Sequence, residues 1–324
     1  MKTNAFKERF DTAEKCRFCR PEYALATDAG LPCPTLLLCA ATVALEAPAI
    51  APTGIFMSDL SAFFQSVKLP VMPEVAHALI RTLHEEDIVL GDVRNIVAKD
   101  PTLTAKVLRA ANSAAIGLRR EVSTLDAAIS MIGMAQVRTL ALTACMNVAF
   151  PVAPGLNRTE FWMNSMACAG YAQWLAPAAG VDWQQAWLAG MMVRLGELII
   201  VQTAPDTLPE IERQPQIPGD RWKREQRVLG FTEAQVTAEL ARRWRFPAGI
   251  VQGLDSASDP LTAVPFCPLG GVVHLAGWLA DMAFTEPEVL DALPSAVIAK
   301  LDLDLDWMHK HMPQPDSFLD ITSL

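Results

Sequence analysis

From residue 58 onward, apolar residues recur at helical spacing, and runs that alternate like a strand are scarce. Ser58-Asp59 can cap a helix carrying Leu60, Phe63, Phe64 and Val67. Pro73-Glu74 opens a second, with Val75, Leu79, Ile80 and Leu83 on one face, and Val93, Ile96 and Val97 mark a third. Asp100 followed by Pro101 is a capping residue with proline at the first helical position, and Leu103, Val107, Leu108 and Ala111 share the face behind it. Ser123 starts a helix through Leu125, Ala128, Ile129 and Ile132 that Gly133 ends, and Val137, Leu140, Ala141 and Ala144 form the next.

A proline-rich joint, Pro151 to Gly155, follows, and all eight tryptophans lie beyond it. Thr159-Glu160 caps a helix running to about Ala176. Asp182 caps another whose stripe is Trp183, Trp187, Gly190, Met191, Arg194 and Leu198. Residues 204–220, with four prolines and Gly219, read as a loop. Helices resume over Lys223–Leu229, Glu233–Trp244, from Phe246-Pro247 through Leu254, and over Val272–Met282. The Leu-Asp alternation of residues 301–306 is too brief to outvote this context and reads as the start of a helix. The pattern predicts an all-α fold of two helical lobes, residues 57–150 and 151–324. Residues 1–56 lack clear periodicity and read as an N-terminal extension, either poorly ordered or an artefact of a start that belongs at Met57.

Composition narrows the function. The apolar fraction of 51% is enough for a full core, and a formal charge of −9 argues against nonspecific nucleic-acid binding. No apolar run reaches the ~18–20 residues of a membrane span. The nearest, Leu36 to Ile50, is interrupted by Glu46 and Pro48. The expectation is a cytoplasmic protein with reduced thiols, since seven scattered cysteines do not form a disulfide framework. Cys16, Cys19, Cys33 and Cys39 leave a zinc alternative open. The first pair has suitable spacing, and the second is loose. Gly-rich phosphate loops and nucleophile elbows are absent from the sequence.

Several stretches together resemble the HDOD family, output domains related to HD-type metal-dependent phosphohydrolases. They are Leu69-Pro70-Val71-Met72-Pro73, Asp100-Pro101 running into Asn112-Ser113, and Ala128-Ile129 with Ile132-Gly133. Further on come Phe161-Trp162, Leu195-Gly196-Glu197-Leu198 and Val272-Val273-His274-Leu275-Ala276. The resemblance implies an all-helical two-lobed fold and a role in bacterial signal transduction. It also implies places for metal ligands, and there this sequence carries Asn164, the pair Val193-Arg194, Glu233 and Gly277 instead of His, His-Asp, His and Asp. A divalent cation needs carboxylate or imidazole donors, so this set implies a domain without bound metal or cofactor.

The expected function is therefore a non-catalytic signalling protein acting on an unidentified protein partner, with a nucleotide as a conceivable ligand. The alternatives are a residual metal-dependent phosphohydrolase or phosphodiesterase, and a nucleotide sensor without turnover. Arg194 falls on an apolar stripe and needs a carboxylate if buried. Glu233 is the expected partner, Glu197 the local alternative, and a solvated Arg194 the bland one. Asn112 reads first as a helix C-terminus that bonds free carbonyls.

Overall fold

The computed structural model describes residues 59–82, 89–112, 122–150, 155–213, 217–282, 289–314 and 318. They are helical and connecting segments, with no strand among the described residues. All of them belong to one compact unit, Thr53–Leu324. The four cysteines of the zinc alternative and Ser113 lie outside the described residues.

The first lobe comprises α1 (Leu60–Ser66), α2 (Glu74–Arg81), α3 (Leu90–Val97), α4 (Pro101–Ala111), α5 (Leu125–Ile132) and α6 (Met134–Ala149). Helices α2 to α5 gather around α6. Their starts follow the sequence signals closely. The Asp59 carboxylate accepts from the Ser61 N–H, and the Asp100 carboxylate accepts from Thr102 and Leu103 N–H with Pro101 at the first helical position. Pro73 stands at the N-cap of α2. Helix α5 is capped by Thr124 rather than Ser123, because the Thr124 hydroxyl is the one that meets the Ala127 N–H. Gly133 joins α5 to α6 at φ +85°, a conformation that a side chain resists.

The second lobe holds α7 (Arg158–Leu175), α8 (Trp183–Met192), α9 (Leu195–Thr203), the short α10 (Leu208–Ile211), α11 (Arg221–Leu229), α12 (Glu233–Arg243), α13 (Ala248–Ser256), α14 (Pro268–Met282), α15 (Ser295–Lys300) and α16 (Leu305–His311). Helix α7 packs on α8 and α14, α12 on α13 and α9, and α13 on α14. Asn157, not Thr159, caps α7, since its carboxamide oxygen accepts from both Thr159 and Glu160 N–H. Part of the expected loop 204–220 is helical, as a 3-10 turn over Pro205–Thr207 leads into α10. Leu301 and Asp302 form a turn, and Asp304 caps α16, so the Leu-Asp alternation builds no strand.

The two lobes meet through aromatic rings. Phe63 of α1 lies 4.9 Å from Phe231 between ring centres, Phe150 lies 5.7 Å from Trp244, and the Arg243 guanidinium sits 4.6 Å above Phe64. Trp183–Thr203 is long and apolar enough to cross a membrane, but its apolar window is 78% buried among the other helices.

Candidate functional site

The expected single stripe from Trp183 to Leu198 is broken. Helix α8 ends at Met192, and α9 begins at Leu195. The fully buried Thr237 of α12 bridges the break. Its hydroxyl accepts from the Gly196 N–H at 2.8 Å and shares its proton between the Val193 and Glu233 carbonyls, each at 2.9 Å. Two backbone groups that a continuous helix would pair internally are satisfied from another helix. Gly196 makes this approach feasible, because a Cβ there would come within 2.1 Å of the Glu233 carbonyl oxygen.

Arg194 sits at the break and turns inward. Its Nη2 donates to Glu197 Oε2 at 2.9 Å, the local alternative, and makes no ion pair with Glu233. The expected Arg194–Glu233 tie is corrected by geometry. Glu233, at the first position of α12, is taken by Arg221 Nε at 3.3 Å and by the Trp222 indole N–H at 3.0 Å. Arg194 is not solvated either, with a side chain only 15% exposed.

Arg221 is the centre of the site, and the sequence reading missed it. Its guanidinium reaches Glu197 Oε1 at 3.0 Å, Glu225 Oε1 at 3.1 Å, Glu233 Oε2 at 3.3 Å, and Glu212. One planar fork thus ties α9, α11, α12 and the end of α10. Glu225 has a second task, as its Oε2 accepts the Glu233 N–H at 2.8 Å and so satisfies an orphan donor at the start of α12. A signal for this cluster was present in the sequence. Trp222, Glu225 and Leu229 share the buried face of α11, so a carboxylate stands on an apolar stripe one turn from Arg221.

The charges do not titrate alike. Burial alone would raise Glu197, but the Arg194 and Arg221 guanidiniums outweigh it and hold the carboxyl below its ordinary value. Burial and the neighbouring Glu233 carboxylate push Glu225 well up. Glu233 is also raised, by burial first, against the pull of Arg221 and Arg194. Two guanidiniums shared among several carboxyls leave the last of them favouring its neutral form.

Beside this cluster lies a cavity of about 20 Å³, lined by Val193, Arg194, Arg221, Glu233 and Gly277 and closed by Cys168, Trp222, Trp278, Gly219 and Asp281 among others. Four of the five positions singled out from the resemblance therefore converge. Asn164 does not line it, and the residue that α7 contributes is Cys168, one turn further along. The Cys168 thiol is fully buried, and burial raises its pKa strongly. As a metal site this donor set fits poorly. The two nearest cations are guanidiniums, and Glu197 and Glu233 are committed to them. Among the described residues Asp281 accepts only the Gly219 N–H, and no three His, Cys, Asp or Glu side chains are arranged to hold an ion.

Asn112, one of the family-motif residues, serves the backbone. The Asn112 carboxamide donates to the Leu108 and Val122 carbonyls at 2.9 and 2.7 Å, and accepts the Val122 N–H at 2.6 Å. It holds the end of α4 to the chain returning toward α5.

The chain matches the HDOD domain family over residues 69–260, and it belongs to that family. Among solved structures it is similar to a protein named as a putative phosphohydrolase from Shewanella amazonensis SB2B. That match has 28% identity and a TM-score of 0.64, and covers 77% of this chain and 92% of that one. It shares its fold with an HDOD domain protein of unknown function from Geobacter sulfurreducens, at 19% identity and a TM-score of 0.58, over 81% of this chain and 97% of the other. A curated relative, an uncharacterized protein of Treponema pallidum (strain Nichols), is 23% identical over 195 residues. That is 56% of this chain and 36% of the relative, so this chain spans about a third of that protein's length.

Proposed function

We infer that this chain is a non-catalytic HDOD signalling protein that acts through contacts with a partner protein. One observation carries the reading. Where the family resemblance places metal ligands, Arg194 and Arg221 hold the carboxylates of Glu197 and Glu233. A divalent cation would have to displace two guanidiniums from a buried site, and hydrolysis in this superfamily depends on the metal to activate water. The network performs the structural part of a metal's task, tying helices together. A nucleotide inside this cavity finds no support in its size, since ligand sites run to roughly 300–1,000 Å³.

The competing reading is residual metal-dependent phosphohydrolase activity. The test is an assay of the full chain supplied with manganese(II), against phosphomonoesters, phosphodiesters and cyclic dinucleotides. The proposal expects no turnover. Metal-dependent turnover that disappears in Glu233→Gln would overturn it.

A further inference from the structure

The walls of the small cavity are unequal. Cys168, Trp222, Glu233 and Trp278 stand on the helices α7, α11, α12 and α14. Val193 and Arg194 line it from the α8–α9 break, and Gly219 from the turn that leads into α11. That turn is anchored at Asp220, whose carboxylate pairs with Arg224 at 3.2 Å and whose carbonyl accepts the Arg224 N–H, and is held more lightly at Gly219. The Gly219 N–H donates to Asp281 Oδ2 at 3.4 Å, the long end of a hydrogen bond, and the Asp220 N–H returns to the Ile217 carbonyl within the turn itself. On its outer side Ile217 is 56% exposed. By contrast the flanks are fixed: Arg224 Nε donates to the Ile211 carbonyl at 2.6 Å, and Arg221 pairs with Glu212.

Closure depends on one residue. Gly219 has φ +68°, and a Cβ there would lie 2.0 Å from the Trp278 indole. The turn can rest on the indole only because position 219 has no side chain. Arg194 lines the same cavity, and its Nε is buried and without a hydrogen-bond partner.

We propose that Ile217–Gly219 is a gate over the Arg194–Arg221 cavity, anchored at Asp220, with Gly219 against Trp278 as its closed position. The gate opens by a local movement of the turn that leaves α11 and α12 in place, and it exposes Arg194 Nε to any small solute with an acceptor oxygen.

Cys168 is a native reporter inside the cavity, and Cys145 and Cys267 are buried thiols elsewhere. The experiment treats the full chain with a small disulfide reagent, quenches at intervals, and assigns each modified cysteine by peptide mass spectrometry. In Gly219→Ala either the turn or the indole must leave the wall. Cys168 should then react about tenfold faster or more, with Cys145 and Cys267 unchanged, as expected of local opening. Asp281→Asn, which weakens the acceptor without adding bulk, should accelerate Cys168 to a smaller degree. An unchanged Cys168 rate in Gly219→Ala would overturn the gate, and so would equal acceleration of all three thiols, which reports general loosening.

Discussion

Arg221 Nη2 lies 3.0 Å from Glu197 Oε1, while the other oxygen of the same carboxylate is held by Arg194 at 2.9 Å. Glu197 is therefore clamped between two guanidiniums, and its side chain is only 3% exposed. The pair joins α11 to α9 at the point where the α8–α9 break turns the chain inward. Removing Arg221 leaves Glu197, Glu225 and Glu233 buried against one remaining guanidinium. Arg221→Met should cost about 3–5 kcal/mol, the range for stripping one partner from a buried pair. Arg221→Lys should recover little, because a single ammonium cannot span the same carboxylates. Urea unfolding of the variants measures both. A loss below about 1 kcal/mol in Arg221→Met would show that the network does not tie the helices.

The same clamp sets a pH dependence. Glu197 is held below its ordinary value of 4.5, so its stabilisation is complete above that pH and is lost as pH falls toward the lower folded value. Glu197→Gln should be less stable than the parent by about 1–3 kcal/mol at neutral pH, the worth of hydrogen bonds to a charged group. The deficit should shrink as the solution is acidified below pH 4.5. Glu225 and Glu233, raised by burial, act in the opposite sense, with stability lost as pH rises through their folded values. The difference between parent and variant across pH isolates the Glu197 contribution.

His274 gives a second titration. It is buried, with its ring 5.3 Å from Trp222 and Nδ1 2.7 Å from the Ala257 carbonyl, so Nδ1 carries the proton and donates. Burial lowers its pKa below the usual 6.5. Its contribution is therefore present above that pH and is lost as pH falls toward the folded value. In His274→Gln the slope of stability against pH between about 7 and 5 should flatten, read by thermal unfolding at a series of pH values. An unchanged slope would place the proton uptake elsewhere.

Glycines separate close packing from free space. A Cβ at Gly196 would meet the Glu233 backbone at 2.1 Å, whereas one at Gly249 finds its nearest neighbour, the Gln185 carboxamide, at 3.8 Å. Gly196→Ala should destabilise by about 3 kcal/mol or more, at or beyond the upper end of overpacking, since the obstacle is backbone. Gly249→Ala should be neutral or stabilising by up to about 1 kcal/mol, through the lower entropy of the unfolded chain. Thermal unfolding distinguishes the two.

Asn112 is part of the family signature, and its hydrogen bonds assign it a structural task. Asn112→Ala leaves the Val122 N–H without its acceptor and should cost about 1–3 kcal/mol. A loss-of-signalling variant with unchanged stability would instead place Asn112 in a ligand or partner surface.

Most of the helices and the family were legible in the sequence because their determinants are local. Asp59, Asp100 and Asp182 each cap the helix that follows, and Thr232 with Gln235 completes a capping box before α12. Other starts were misplaced by a residue or two, as at Thr124 and Asn157, where a second capping-type residue stands one or two positions away. The site was only half legible. Val193, Arg194, Glu233 and Gly277 were found by analogy, and their convergence on one cavity is a tertiary fact. Arg221 escaped because its partners come from four separate segments and its own stretch read as a loop running into a helix. The pairing of Arg194 went to Glu197 because the α8–α9 break rotates the guanidinium toward the new helix and leaves Glu233 to Arg221.

We propose that the Arg194 and Arg221 guanidiniums have taken the metal's place. The direct test is elemental analysis of the 324-residue chain, as purified and after incubation with manganese(II) or iron(II) followed by desalting. Manganese and iron should stay well below one ion per chain in every sample, and zinc that disappears with Cys16→Ser would belong to the N-terminal cysteines. One manganese or iron retained per chain and lost in Glu233→Gln would contradict it.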